Sequence, residues 1–269
     1  MKPLRAFGRE GASVHKGYPN ENPKEKESFA PAKVTVIHMN KMKIDARLLA
    51  VAELVSDGAY LADVGTDHAY LPIHLAEQGK ISGSVASDIH KGPLESAEKN
   101  IREAGFSDKI CTVLTDGLQG LEPYPVTDVV IAGMGGLMIK GILEKASAFK
   151  ERSVKFILQP MQHIPDLRRY LGENGFAIEK EAQATAEGKF YQIILCSYDG
   201  VVRKETELEL LLGAYNLLHK KENAENFRRL CDRQLEVLRE KIKGLEKGGY
   251  SAEKERALYG AIEQELLGL

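Results

Sequence analysis

The strongest constraint in this sequence is an alternation. Between residues 59 and 160, short apolar runs that end in Asp, Gly or Gln-Pro are separated by segments of helical period. The runs 59–65, 83–89, 109–114, 127–131 and 154–158 read as strands. Helices are expected over 44–55, 71–78, 93–104, 136–149 and 163–174. Pro93 falls near a helix start, and Gly79, Gly105 and Gly175 fall just past helix ends, the expected punctuation. Strands alternating with 10–15-residue helices build right-handed βαβ units around a parallel sheet. Two further strands, 176–184 and 189–197, are joined by the tight turn Ala186-Glu187-Gly188. One of that pair must run antiparallel. The expected class is α/β: a Rossmann-like class I methyltransferase sheet with a terminal antiparallel hairpin. A nicotinamide-binding domain would instead continue with parallel units.

In an open α/β sheet, ligands bind beyond the carboxyl ends of the strands. Asp63, Gly65 and Asp67 lie at the first such end, Asp88 at the second, Asp116 and Gly117 at the third, and Gly133 and Met134 at the fourth. Gly65 lets the first turn approach a ligand without a Cβ clash. Asp88 can accept hydrogen bonds from both ribose hydroxyls of a nucleoside. Asp116 can accept one from an exocyclic adenine amine, and Asp63 can hold an ammonium group. The turn reads Gly65-Thr66-Asp67-His68-Ala69, so GxGxxG is absent. A pyrophosphate prefers helix N–H groups without added negative charge, so Asp67 disfavours a dinucleotide. S-adenosylmethionine has no phosphate and carries positive charge on its sulfonium and ammonium groups, which suits these carboxylates. Acidic residues also cap helices and begin turns. That explanation fits any one of the positions and fits poorly for three successive strands ending in Asp.

The rest of the chain is of a different kind. Residues 1–41 carry eight Lys/Arg against four Glu, are rich in Gly, Pro and Asn, and show no apolar period. Such a stretch cannot bury enough surface to offset its chain entropy, so a disordered extension is expected. It has no apolar core of a secretory signal, and Met42 just before the first helix is a candidate start. Residues 201–269 read as helical. Phe227, Cys231, Leu235, Leu238, Ile242 and Leu245 recur at intervals of three and four, the pattern of a coiled-coil seam. Lys247-Gly248-Gly249 breaks it, and Ser251 begins a last helix. The expected form is an α-helical coiled-coil hairpin, with Arg228, Arg229, Arg233, Arg239, Lys241 and Lys243 on its flanks. Those cations can track nucleic-acid phosphates, line a solvated face, or flank a seam used for self-association. The division expected is therefore 1–41, 42–200 and 201–269.

The formal net charge of −2 excludes a bulk polycation. No run of apolar residues is long enough to span a membrane. Cys111, Cys196 and Cys231 are scattered, with no zinc spacing and no disulfide framework. No metal is expected, and a monomer in a reducing cytoplasm is.

Two motifs then narrow the reading. ADVGTDHAYLP (62–72) and IAGMGG (131–136) resemble the signature of the bacterial tRNA (adenine-22-N1)-methyltransferase family, the TrmK family. Arg47-Leu48, Gly92-Pro93, Asp116-Gly117-Leu118, Leu158-Gln159-Pro160 and Arg168 match as well. Met161 and Gln192 depart from the family pattern, which has Asn and Glu there. The resemblance implies methyl transfer from S-adenosyl-L-methionine to N1 of adenine 22 in the D-arm of tRNA. It implies cofactor binding by Asp63, Gly65, Asp67, Asp88, Asp116 and Gly117. N1 is buried in the Watson–Crick edge, so the base must be extruded and held. Tyr70 is the candidate for stacking on it, with His68 orienting it. Gly133 offers backbone carbonyls to the exocyclic amine, and Met134 offers an adaptable apolar wall. The structural alternatives are a helix-start Tyr70 packed on the core, a capping His68, and glycines that serve close packing. Two other functions stay open: a methyltransferase for a small molecule or protein, and a non-catalytic RNA-binding protein with a relic donor fold. Truncation at Val201 is expected to leave donor binding intact and to abolish tRNA methylation.

Overall fold

The computed structural model describes residues 44–269. The expected disordered extension and the candidate start at Met42 lie outside the described residues. Strands β1 (Ala59–Val64), β2 (Ile81–Asp88), β3 (Ile110–Leu114), β4 (Asp128–Met134), β5 (Lys155–Pro160), β6 (Phe176–Ala186) and β7 (Lys189–Tyr198) form a seven-stranded sheet. Its order is β3-β2-β1-β4-β5-β7-β6. The first five strands are parallel, and β7 runs antiparallel to both β5 and β6. The hairpin turns on Glu187 and Gly188, both at positive φ (51° and 73°), as a two-residue turn between twisted strands requires. The expected sheet is therefore the observed one.

Helices α1 (Ala46–Leu54), α2 (Tyr70–Glu77) and α3 (Lys91–Glu103) cover one face. Helices α4 (Gly136–Glu144), α5 (Ser147–Lys150) and α6 (Ile164–Glu173) cover the other. The strands feed both layers. Val129 and Ile131 pack with Ile139 and Leu143 of α4 and Leu167 of α6. Val130, between them, packs with Val51 of α1 and Leu75 of α2. That is why β4 is contiguously apolar rather than alternating. The helix expected over 136–149 divides at Lys145 and Ala146.

The C-terminal part holds α7 (Glu207–Leu212), α8 (Ala214–Leu218), α9 (Ala224–Lys247) and α10 (Glu253–Leu267). Within this stretch, read from its sequence as helical, the first helical segment is broken at Gly213. That residue sits at φ 86°, and a Cβ there would collide with the Glu181 carboxylate. Beyond the break, Leu217 packs inward while Leu218 is 81% exposed. Helices α9 and α10 run antiparallel, with Glu246 opposite Arg256 and Arg239 opposite Tyr259. Phe227, Cys231, Leu235 and Leu238 of the seam are buried, together with Leu230, against Leu212 and Ile262. Ile242 and Leu245 are only partly covered.

A buried polar network ties these helices to the sheet. Arg168 on α6 donates from Nε to Glu181 Oε1 (2.9 Å), from Nη2 to Gln192 Oε1 (2.8 Å) and from Nη1 to the Leu210 carbonyl (2.8 Å). Asn216 on α8 donates to Glu181 Oε2 (3.0 Å). Gln192, which departs from the family pattern, thus serves as a neutral acceptor beside a carboxylate that already balances the guanidinium.

Candidate active site

The chain order reverses between β1 and β4, so the carboxyl ends of these two adjacent strands open a crevice. It measures about 280 Å³, and Arg47, Asp63, Asp67, His68, Tyr70 and Gly133 are among the residues that line it.

The β1 side is shaped by backbone geometry. Gly65 leaves the strand at φ 77°. Its N–H and that of Thr66 both donate to the Ser87 carbonyl, at 2.8 and 2.9 Å, which pins the turn to β2. Thr66 Oγ1 accepts the Ala69 N–H at 3.2 Å, and Ala69 lies in the left-handed region at φ 54°. Such a conformation is strained for a residue with a Cβ, and strain of this kind gathers at functional sites. Asn100 of α3 donates to the His68 carbonyl at 3.0 Å. This turn presents the His68 and Tyr70 rings as a stack, with centroids 5.0 Å apart and planes at 23°. His68 Nε2 lies 3.4 Å from Asp67 Oδ2.

Asp63 ends the same strand and is only 8% exposed. Burial pushes its carboxyl up to about 6, partly offset by a hydrogen bond from Thr66. Among the described residues no cation pairs with it, so this buried carboxylate could take a positively charged ligand.

The β4 side carries a bulge. The register with β5 shifts between Ala132 and Met134, so Gly133 is the extra residue, at φ 78°. Its N–H donates to Gln159 Oε1 at 3.0 Å. The same oxygen accepts Arg47 Nη1 at 2.8 Å. The Arg47 guanidinium also lies 5.8 Å from the centre of the Tyr191 ring. Met134 reaches across to Gly65, where a Cβ would collide with its Cε.

The crevice therefore brings together Asp63, Gly65, Asp67, His68, Tyr70 and Gly133, with Met134 against Gly65. Asp88 ends β2 next to Ser87. Its Oδ1 accepts the His90 N–H at 2.7 Å, ahead of α3. Asp116 and Gly117 stand apart. They line a separate hollow with Met138, Ile142 and Lys145. Asp116 Oδ2 is 3.0 Å from Lys145 Nζ, and its side chain is half exposed. Sequence reasoning missed Arg47 and Gln159 as site residues. They are 112 positions apart, and neither spacing nor pattern predicts their contact.

The residues present fit S-adenosylmethionine. Asp63 offers the buried carboxylate for its ammonium, Arg47 a fixed cation for its carboxylate, and Gly65 a backbone that a ligand can approach closely. A parallel sheet closed by an antiparallel hairpin, with acidic strand ends at the switch point, defines a Rossmann-like class I methyltransferase. A family model described as "Methyltransferase domain" matches residues 44–194. A tRNA (adenine(22)-N(1))-methyltransferase of Bacillus subtilis (strain 168) is 33% identical over 193 residues, spanning 69% of this chain and 79% of that one. A candidate tRNA (m1A22) methyltransferase of Streptococcus pneumoniae, solved with S-adenosyl-L-methionine, is 34% identical with a TM-score of 0.73, over 83% of this chain and all (100%) of that one. TrmK of M. capricolum, solved with S-adenosyl-homocysteine, is 25% identical with a TM-score of 0.64, over 82% of this chain and 96% of that one. The chain belongs to the tRNA (adenine(22)-N(1))-methyltransferase family, the TrmK family.

Among the described residues, no group of His, Cys, Asp or Glu is placed to hold a metal ion. No helix there is long and apolar enough to cross a membrane.

Proposed function

We propose that the chain transfers the methyl group of S-adenosyl-L-methionine to N1 of adenine 22 in tRNA. The observation that carries this reading is the joint lining of one crevice by a buried carboxylate, Asp63, and an exposed aromatic stack, His68 and Tyr70. The first suits a cationic donor and the second an extruded base. The Streptococcus pneumoniae relative with a tRNA (m1A22) methyltransferase name and bound S-adenosyl-L-methionine supports it, as does the M. capricolum TrmK with bound S-adenosyl-homocysteine.

Within this reading, Asp63 and Arg47 hold the amino-acid end of the donor, and Asp88 takes the ribose hydroxyls. Asp67, Asp116 and Gly117 complete the cofactor side, the last two reaching the adenine from their neighbouring hollow. The donor supplies an electrophilic methyl group on a sulfonium. N1 offers a neutral lone pair, so no residue needs to remove a proton before attack, and positioning supplies most of the rate. Tyr70 stacks on the extruded base, and His68 behind it fixes the Tyr70 ring and orients the base. The Ala132 or Gly133 carbonyl accepts from the exocyclic amine, and Met134 closes the apolar wall. Residues 42–200 carry the chemistry and 201–269 engage the tRNA backbone. Arg228, Arg233 and Arg239 on α9 suit that role, since none is paired with a carboxylate among the described residues. The chain works as a monomer in the cytoplasm; for the monomer, the support is that Phe227, Cys231, Leu235 and Leu238 of the α9 seam pack inside the molecule, against α7 and α10.

The test is to supply labelled donor with two tRNA transcripts, one with adenine and one with guanine at position 22. Label is expected on the adenine transcript alone. Equal labelling of both, or of neither, overturns the reading.

A further inference from the structure

Gln159 is fully buried and does not line the crevice. Its amide nevertheless uses all of its hydrogen-bonding capacity on the residues around it. Oε1 accepts from Arg47 Nη1 (2.8 Å) and from the Gly133 N–H (3.0 Å). Nε2 donates to the Pro160 carbonyl (3.1 Å) and to Met161 Sδ (3.5 Å). Two donors face one end of the amide, so only this orientation of the group satisfies the site.

The need for that oxygen follows from the bulge. Ala132 pairs with Gln159 and Met134 with Pro160, which leaves Gly133 between them without a ladder partner. The Gly133 N–H, left out of the ladder at a partly buried position, needs an acceptor to hold the bulge in one geometry, and the Gln159 side chain supplies the one that the backbone of β5 does not. The guanidinium has the same dependence. Asp45 is 3.6 Å from Arg47 Nε with its side chain 43% exposed, and Tyr191 offers only a ring face. The short bond to Gln159 is the contact that fixes where Nη1 sits.

We propose that Gln159 is a positioning residue for methyl transfer, acting through two crevice residues, Arg47 and Gly133, on opposite elements. One buried oxygen sets both the cation on the donor side and the backbone carbonyls on the base side. This couples the placement of donor and base without touching either. The assignment rests on the function proposed above.

Gln159→Met keeps the unbranched shape and removes the acceptor. Gln159→Glu keeps an oxygen facing Arg47 and Gly133. Donor affinity is measured directly by calorimetry with S-adenosylhomocysteine, and turnover with the adenine-22 transcript. Losing a hydrogen bond to a charged group is expected to weaken S-adenosylhomocysteine binding of the Met variant by roughly tenfold or more, and to lower kcat by roughly as much again. The Glu variant keeps the acceptor but has no N–H for the Pro160 carbonyl, so it should recover the affinity only in part. In an Arg47→Ala background, Gln159→Met should cost little further affinity, because the group it positions is gone. Wild-type affinity and kcat in the Met variant overturn the proposal. So does a full affinity loss that adds independently to that of Arg47→Ala. Should Gln159→Met fail to fold, Gln159→Leu decides: wild-type affinity and kcat in a folded Leu variant overturn the proposal as well. Labelling of the guanine transcript by the unaltered protein would sink the tRNA reading while leaving the calorimetric arm intact.

Discussion

The terminal methyl of Met134 occupies the space into which a side chain on Gly65 would project. Gly65 closes β1 and Met134 ends β4, so the two strand ends that frame the crevice interlock. Gly65 also sits at φ 77°, where a Cβ costs about 1–2 kcal/mol. Gly65→Ala therefore carries both backbone strain and a displaced Met134. It is expected to weaken donor binding by roughly tenfold or more by calorimetry. Adding Met134→Ala should recover the steric part and leave the strain. A double variant as defective as the single one would show that the two residues do not couple.

Asp63 makes the protein's behaviour depend on pH in two opposed ways. Its carboxyl is raised from 3.8 to about 6 by burial. Such a group favours the folded state while protonated. That contribution is full below the unfolded value and is lost as pH rises through about 6. Above that, the buried charge costs roughly 3 kcal/mol. Asp63→Asn is thus expected to raise the Tm at pH 8 and to change it little at pH 4. The same variant should lose donor binding, because an amide cannot balance an ammonium. In the unaltered protein, donor affinity should fall as pH drops through about 6. Affinity that stays flat from pH 5 to 8 would remove Asp63 from the donor site.

Tyr70 is 38% exposed although it begins a helix whose other apolar residues are buried. The core therefore does not need its ring, and Tyr70→Ala should fold. If the ring stacks on the extruded base, its loss should cost roughly 1–3 kcal/mol, a fall in kcat/KM of about 5- to 150-fold. Donor affinity should stay unchanged, and Tyr70→Phe should retain the rate. Equal rates for the unaltered protein and the Tyr70→Ala variant would leave the stack a structural detail.

How much of this was legible beforehand follows from the range of each interaction. The strands and their turns are local features, so periodicity and the glycines at 65 and 133 located them. The strand ends likewise placed Asp63, Asp67, His68 and Tyr70 in one crevice, because parallel strands deliver their carboxyl ends to one edge. Asp116 obeys the same rule and still lies apart, since its side chain is held by Lys145 of the α4–α5 connection. No strand pattern encodes that ion pair. Arg47 and Gln159 meet only after the sheet has formed, and the kink at Gly213 depends on the Glu181 carboxylate behind it. A helical reading of 201–269 could not reveal a partner on β6.

The same long-range network changes what truncation should do. From sequence, a cut at Val201 should spare donor binding. In the fold, the Leu210 and Leu211 carbonyls accept from Arg168 Nη1, and Asn216 donates to Glu181. Arg168 and Glu181 are each 1% exposed along their side chains. Cutting at Val201 strips these partners from a buried ion pair and uncovers Phe190, which packs on the helical cluster. Each buried polar group left unmatched costs about 1–3 kcal/mol, more where it is charged. The truncated chain is therefore expected to melt well below the full-length protein and to lose donor affinity with its fold. Replacing residues 243–254 by a short Gly-Ser turn removes the tip of α9 and α10 but keeps Phe227, Leu235, Leu238 and Ile262 together. That variant should retain the melting temperature within a few degrees and the donor affinity unchanged. A chain cut at Val201 that melts and binds donor like the full-length protein would show that Arg168 and Glu181 hold their geometry without the helices.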